Sequence, residues 1–126
     1  MELYIIKNKE SKPFFKCGVQ KDGKILFNPT TSKELGISKG MNVKFATNEK
    51  KELLLIVGTP HDAESYELHS WGKMGWYVTT SELLKSLDFD YKRNKIAFDI
   101  FPTNEVYEGC KVYLLTPRTQ PRNIKK

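Results

Sequence analysis

Cysteine and histidine are scarce in this chain, with two of each among 126 residues. Cys17 and Cys110 show no C-x-x-C spacing and have no histidine nearby. Two reduced thiols packed as small hydrophobes are favoured over a metal or redox role, and a disulfide between them stays open. His61 and His69 are too few for a metal site of the usual kind, and a neutral, hydrogen-bonded imidazole is the expectation for His69. No G-x-S-x-G, H-E-x-x-H, P-loop or dinucleotide fingerprint occurs. Asp88 and Asp90 lack the further ligands of a calcium loop. The expectation is a non-enzymatic protein with no catalytic residue, metal or cofactor. An enzymatic reading would need a dry polar pocket holding His69 and a carboxylate. No apolar run approaches the ~20 residues that span a bilayer. The start, Met1-Glu2-Leu3-Tyr4-Ile5-Ile6-Lys7, has an acid at position 2 and no long apolar stretch, so it does not read as a signal peptide. A cytoplasmic protein without a membrane partner is expected.

What the chain does contain is enough for a core. Apolar residues make up 39% and aromatics 12%, which is not a disordered composition. The net charge is +6, and it is unevenly spread. Residues 1–60 hold eleven lysines against six carboxylates, residues 61–116 carry −3, and residues 117–126 hold four bases and no acid. A basic surface draws polyanions by counterion release without reading sequence, but the same charge also keeps a small protein in solution.

Two stretches echo one another. Gly23-Lys24-Ile25-Leu26-Phe27-Asn28-Pro29-Thr30-Thr31-Ser32 and Gly72-Lys73-Met74-Gly75-Trp76-Tyr77-Val78-Thr79-Thr80-Ser81 share five of ten positions at an offset of 49 residues. Each leads from a turn through a strand-like run into a cluster able to cap a helix. The chain therefore reads as two β-β-α-β-β copies. The first spans 1–58 with an extra strand at Leu3–Lys7. A linker covers 59–64, a degenerate second copy 65–116, and a basic mobile tail 117–126.

Within the first copy, Phe14–Gln20 and Lys24–Asn28 form a hairpin. Asp22-Gly23 is expected to make a type I′ turn, which puts the ammonium groups of Lys21 and Lys24 near its tip. Pro29 ends the strand. Thr31 or Ser32 is expected to cap a short helix, with Glu34 completing a capping box and Gly36 left-handed at its end. Val43 and Phe45 alternate with polar neighbours as a half-buried strand, and Leu53–Val57 is continuously apolar, as a strand covered on both faces. In the second copy Thr79-Thr80-Ser81-Glu82 caps a helix one turn longer. Ile96, Phe98 and Ile100 alternate along a strand, a loop covers Pro102–Gly109, and Lys111–Leu115 is the last strand. Trp71, Trp76 and Tyr77 read either as core or as a platform for unpaired bases, with Trp76 and Tyr77 on opposite faces.

The run Lys16-Cys17-Gly18-Val19-Gln20-Lys21-Asp22-Gly23-Lys24-Ile25-Leu26-Phe27, followed by Leu35-Gly36-Ile37-Ser38-Lys39-Gly40, resembles the AbrB/SpoVT type of swapped-hairpin DNA-binding domain. Met41 stands where that family usually has Asp, and Leu87-Asp88-Phe89 replaces Leu-Gly-Ile in the second copy. The resemblance implies a mainly β fold with two short helices, closing as an AbrB-like pseudo-dimeric barrel. A monomer is expected first and a homodimer second. It also implies a transcriptional regulator that contacts duplex DNA phosphates through Lys16, Lys21, Lys24 and Lys33. The basic tail would add Arg118, Arg122, Lys125 and Lys126. Gln20 and Asn28 are candidates for base readout by their chemistry. The alternative is a protein-interaction or structural module on the same scaffold that no longer binds DNA. An antitoxin role is a narrower variant of that alternative; antitoxins of the family usually carry an acidic, toxin-wrapping tail, and the basic stretch 117–126 counts against it.

Overall fold

The computed structural model describes Leu3 and residues 15–121. The strand expected at Leu3–Lys7 falls, apart from Leu3, outside them, as do Arg122, Lys125 and Lys126. In chain order the elements are β1 (Phe15–Val19), β2 (Lys24–Phe27), α1 (Pro29–Glu34), β3 (Asn42–Thr47), β4 (Leu53–Thr59), β5 (Tyr66–Glu67) and β6 (His69–Ser70). A 3-10 turn (Gly72–Met74), β7 (Trp76–Thr79), α2 (Ser81–Ser86), β8 (Asn94–Tyr107) and β9 (Cys110–Pro121) follow. No helix among the described residues is long and apolar enough to cross a membrane.

Period-two patterning turns one face of each strand inward. Cys17 and Val19 on β1, Ile25 and Phe27 on β2, and Ile96, Phe98 and Ile100 on β8 are all buried in one core. All pairs are antiparallel, in the order β5-β3-β4-β9-β8-β1-β2-β7-β6. The two ends of that order are consecutive in sequence. Tyr66–Glu67 pairs with β3, His69–Ser70 pairs with β7, and the buried Leu68 between them donates its N–H to Met41 O at 3.0 Å. The sheet is therefore a nearly closed barrel, which leaves little free edge.

Leu53–Val57 follows the expectation of two covered faces in part. Leu53, Leu55 and Val57 point to the core, and Ile56 is also buried on the outer face.

The turns and caps differ from the sequence reading in informative ways. At the first hairpin Gly23 alone has positive φ, at 89°. Its N–H donates to Gln20 O at 3.0 Å, and Gln20 N donates to Lys24 O at 2.8 Å. This is a three-residue loop with a bulged glycine, not a type I′ turn. Two consecutive positive φ values occur instead at Glu108 and Gly109, where β8 meets β9. There the expected Pro102–Gly109 loop is mostly hairpin arm, because Val106 and Tyr107 pair with Lys111 and Cys110.

Helix α1 starts earlier than expected. Asn28 is its N-cap, with Oδ1 accepting from Thr31 N at 2.8 Å, and Pro29 fills the first turn. Thr31 and Ser32 instead donate their hydroxyls to Lys16 O at 3.0 Å and Phe27 O at 2.9 Å, which fastens α1 to β1 and β2. No capping box forms at Thr80 either. Its hydroxyl donates to Gly23 O at 2.8 Å, so the start of α2 carries the first hairpin tip.

Both helices have six residues, so the second is not longer. Both end alike. Ile37 N donates to Ser32 O and Gly36 N to Lys33 O. Phe89 N donates to Leu84 O and Asp88 N to Lys85 O. This is the Schellman arrangement, with Gly36 at φ 70° and Asp88 at φ 62° in the left-handed position.

Strand β9 runs on to Pro121, so Pro117–Pro121 is strand and not the start of a mobile tail. Its partner β8 extends back to Asn94 and supplies the ladder, while β4 pairs with β9 only as far as Leu115. Pro117 and Pro121 thus occupy a stretch with one free edge, where a missing N–H is tolerated.

Candidate nucleic-acid interface

An open cleft of about 1030 Å³ lies between the first hairpin tip and the paired ends of β8 and β9. Gln20, Lys21 and Asp22 form one wall, Lys95, Ala97, Arg118 and Gln120 another, and Trp71 borders it. The register explains the gathering. Inward Ile96 and Phe98 force Lys95, Ala97 and Asp99 outward, and across the ladder Lys95 faces Gln120 while Ala97 faces Arg118 on one side and Gly18 on the other.

The carboxylates here are matched. Asp22 pairs with Lys24, and its Oδ1 also accepts from Lys24 N at 3.2 Å. The hydrogen bond from the Lys24 ammonium holds the Asp22 carboxyl below its usual range and raises Lys24 in turn. Asp22 is exposed and Lys24 half-buried at the surface, so the pair adds little to stability. The Lys24 ammonium also stands 5.5 Å from the centre of the Tyr77 ring. Arg118 Nη2 is 2.9 Å from Asp99 Oδ1. That oxygen is buried and makes no well-aligned hydrogen bond, so the contact is an ion pair. Lys21 and Lys95 have no ion pair among the described residues, which leaves their charge for a ligand.

Of the residues expected to contact nucleic acid, Lys21 and Arg118 line the cleft and Lys24 adjoins it. Lys16 lies exposed on the outer face of β1 opposite Asp99, and Lys33 is exposed in the last turn of α1, and neither lines the cleft. Of the two residues expected to read bases, Gln20 lines the cleft, whereas Asn28 is committed to capping α1. The sequence reading missed Lys95 and Gln120. Alternation around Ile96 put Lys95 outward, but only the β8–β1 pairing brings it beside Lys21. The cleft therefore draws cations from both halves of the chain, not from the first alone.

The aromatic cluster divides as its alternation required. Trp76 packs on the core, while Tyr77 faces outward with His69 at 5.4 Å and Trp71 at 5.2 Å between ring centres. Trp71 is 40% exposed. His61 Nδ1 lies 3.4 Å from Asn42 Oδ1. Among the described residues no group of three or more His, Cys, Asp or Glu is placed to hold a metal ion.

Both cysteines are free. Cys110 sits at the β8–β9 turn and donates to Gly58 O at 3.3 Å. Cys17 is 3% exposed, and burial, followed by the charge of Asp99, pushes its thiol far up. A raised folded value means stability that is fully present below the unfolded thiol value near 8.5 and is lost as pH rises toward the folded one. Between pH 7 and 10 the expected loss from this group is about 2 kcal/mol. Urea unfolding at pH 7 and pH 10 checks it, since Cys17→Ala should show a smaller difference between the two than the parent chain.

Compared with protein-family models, curated proteins and solved structures, the chain matches none.

Proposed function

We propose that this chain is a nucleic-acid-binding protein, an AbrB-like transcriptional regulator that contacts duplex phosphates around the cleft. The observation that carries the reading is the grouping of Lys21, Lys95 and Arg118 on one concave surface, with the neighbouring carboxylates already paired. Ammonium and guanidinium groups so placed suit phosphate contacts, which position a protein without reading bases.

The duplicated scaffold is part of the same proposal. Its support is the pairing scheme. The first strand of each half meets the third strand of the other, as β1 with β8 and β5 with β3. The second strands pair together as β2 with β7, and the fourth as β4 with β9. Exchanging the halves leaves the scheme unchanged, as hairpin exchange between two copies would. The N-caps Asn28 and Thr80, and the left-handed Gly36 and Asp88, are each 52 residues apart. That spacing differs from the 49-residue offset of the Thr-Thr-Ser echo, so the echo marks the copies without giving their register.

Titrating a random duplex at several salt concentrations tests the function. Binding should fall steeply with salt, and Lys21→Ala with Lys95→Ala should lower the log–log slope by about two. Lys24→Ala should matter less, because Asp22 already partners it. Duplex affinity unchanged in the double variant would sink the assigned surface.

A second reading, a protein-interaction module, is favoured by a groove of about 730 Å³ toward the other end of the β8–β9 hairpin. Its lining includes Leu54, Ile56, Val106 and Tyr107, with Glu49, Glu52, Glu64 and Glu105 around them. Val106 is 65% exposed, and an apolar surface rimmed by polar groups suits a protein partner.

A further inference from the structure

We infer that the cleft takes an unpaired nucleotide strand, one base stacking on Trp71 and the flanking phosphates reaching Lys21 and Lys95. This rests on the nucleic-acid reading above and adds a second form of ligand at the same cleft, an unpaired strand beside the duplex. In a duplex the base faces are covered by their neighbours, so an exposed indole meets only backbone there. An unpaired base presents a free face, and aromatic side chains beside cations are the usual platform for it.

The indole is held in place for that role. Trp71 N donates to Gly75 O at 2.8 Å, and Trp71 O accepts from Met74 N at 3.0 Å, which closes the turn beneath it. Its ring stands edge-on to Tyr77, with an interplanar angle of 69°. Tyr77 is in turn fixed by β7 pairing with both β2 and β6. The ring therefore has a backing partner and is still 40% exposed at the border of the cleft.

The remaining chemistry fits a nucleotide. The cleft volume reaches the upper end of the roughly 300–1,000 Å³ usual for small-ligand sites, enough for a base with its sugar and phosphate. Gln20 and Gln120 stand on facing walls and offer amide donors and acceptors to base edges. The ammonium groups on either side, Lys21 from the hairpin tip and Lys95 from β8, lie where a strand entering and leaving the cleft would carry its phosphates.

Fluorescence anisotropy with a labelled oligothymidylate of about 12 nucleotides, and with a duplex of random sequence, tests this at low salt. Trp71→Ala should weaken oligothymidylate binding about 10-fold or more and change duplex binding less than about 2-fold. Trp71→Phe keeps a ring and should restore most of the single-strand affinity. It also guards against a folding defect in the alanine variant, and thermal unfolding of both variants checks that directly. Oligothymidylate binding insensitive to Trp71→Ala, or an equal loss on both ligands with Trp71→Phe failing to rescue, overturns the stacking site and leaves the phosphate surface standing. Binding of neither ligand by the parent chain overturns the nucleic-acid reading and this inference with it.

Discussion

Replacing Gly75 with alanine is expected to lower the unfolding free energy by about 4 kcal/mol, through left-handed strain plus a backbone collision. Gly75 joins the 3-10 turn to β7 at φ 109° and ψ −136°, a conformation that side chains essentially forbid. A Cβ there would lie 2.0 Å from Phe27 O, 2.9 Å from Asn28 C and 3.0 Å from Asn28 Cα. These are backbone atoms at the end of β2 and the cap of α1, so none can swing aside. Phe27 pairs with Trp76, and relief would have to part β2 from β7 along their whole seam. Gly36→Ala is the control. Its φ is +70° and nothing lies within 4 Å of the added methyl, so only the left-handed cost of about 1–2 kcal/mol remains. Urea unfolding of both variants separates the two terms. A Gly75→Ala loss no greater than that of Gly36→Ala would show that the close approach does not constrain the fold.

Gly75 also marks where the sequence stops being readable. The stretch Gly72–Gly75 announces a turn, but nothing local says that the backbone of Phe27 passes against it. The same holds for Thr-Thr-Ser. Hydroxyl residues near a helix start either cap the helix or bond to neighbouring strands. In both places they do the second, Thr31 to Lys16 O, Ser32 to Phe27 O and Thr80 to Gly23 O, so α1 starts three residues before Thr31, while α2 starts at Thr80 as expected but without a side-chain cap bond. Asp88 was read as a lost glycine, yet it holds the left-handed position that Gly36 holds, as Asp tolerates better than most residues. What could be read was the alternation. Ile96, Phe98 and Ile100 face the core, as their period of two required.

The candidate site divides along the same line. Lys21 was legible because a loop containing Asp-Gly sets the hairpin tip, and Trp76 and Tyr77 because adjacent strand residues face opposite ways. Lys95 was not legible as a partner of Lys21, since that depends on β8 pairing with β1 across most of the chain. Lys24 looked like a free phosphate contact until the turn brought Asp22 onto it. Long-range pairing decides which cations share a surface, and period-two patterning decides only which of them face outward.

Truncating Phe98 to alanine is expected to cost about 3–5 kcal/mol, a large share of the ~5–15 kcal/mol that holds a domain of this kind folded. Phe98 is fully buried in the first half of β8, with Cys17 of β1 on one side and Pro117 of β9 on the other. Its ring meets Phe89 edge-on at 5.5 Å and 88°. Phe89 follows the left-handed Asp88, so the contact ties the end of α2 to the sheet. Alanine would leave a void among strands whose register is fixed on both sides, and that limits collapse around it. Phe98→Leu, which keeps most of the volume, should cost markedly less. The cleft provides a second readout, because Ala97 and Asp99 flank Phe98 on the opposite face, and Asp99 holds Arg118. Urea unfolding of the two variants at pH 7 measures the first effect. A loss under about 1 kcal/mol for Phe98→Ala would mean that the ring is not packed in the core. Duplex binding by Phe98→Leu measures the second, and near-parental affinity is expected if the register of β8, rather than the detail of the core beneath it, places the cations.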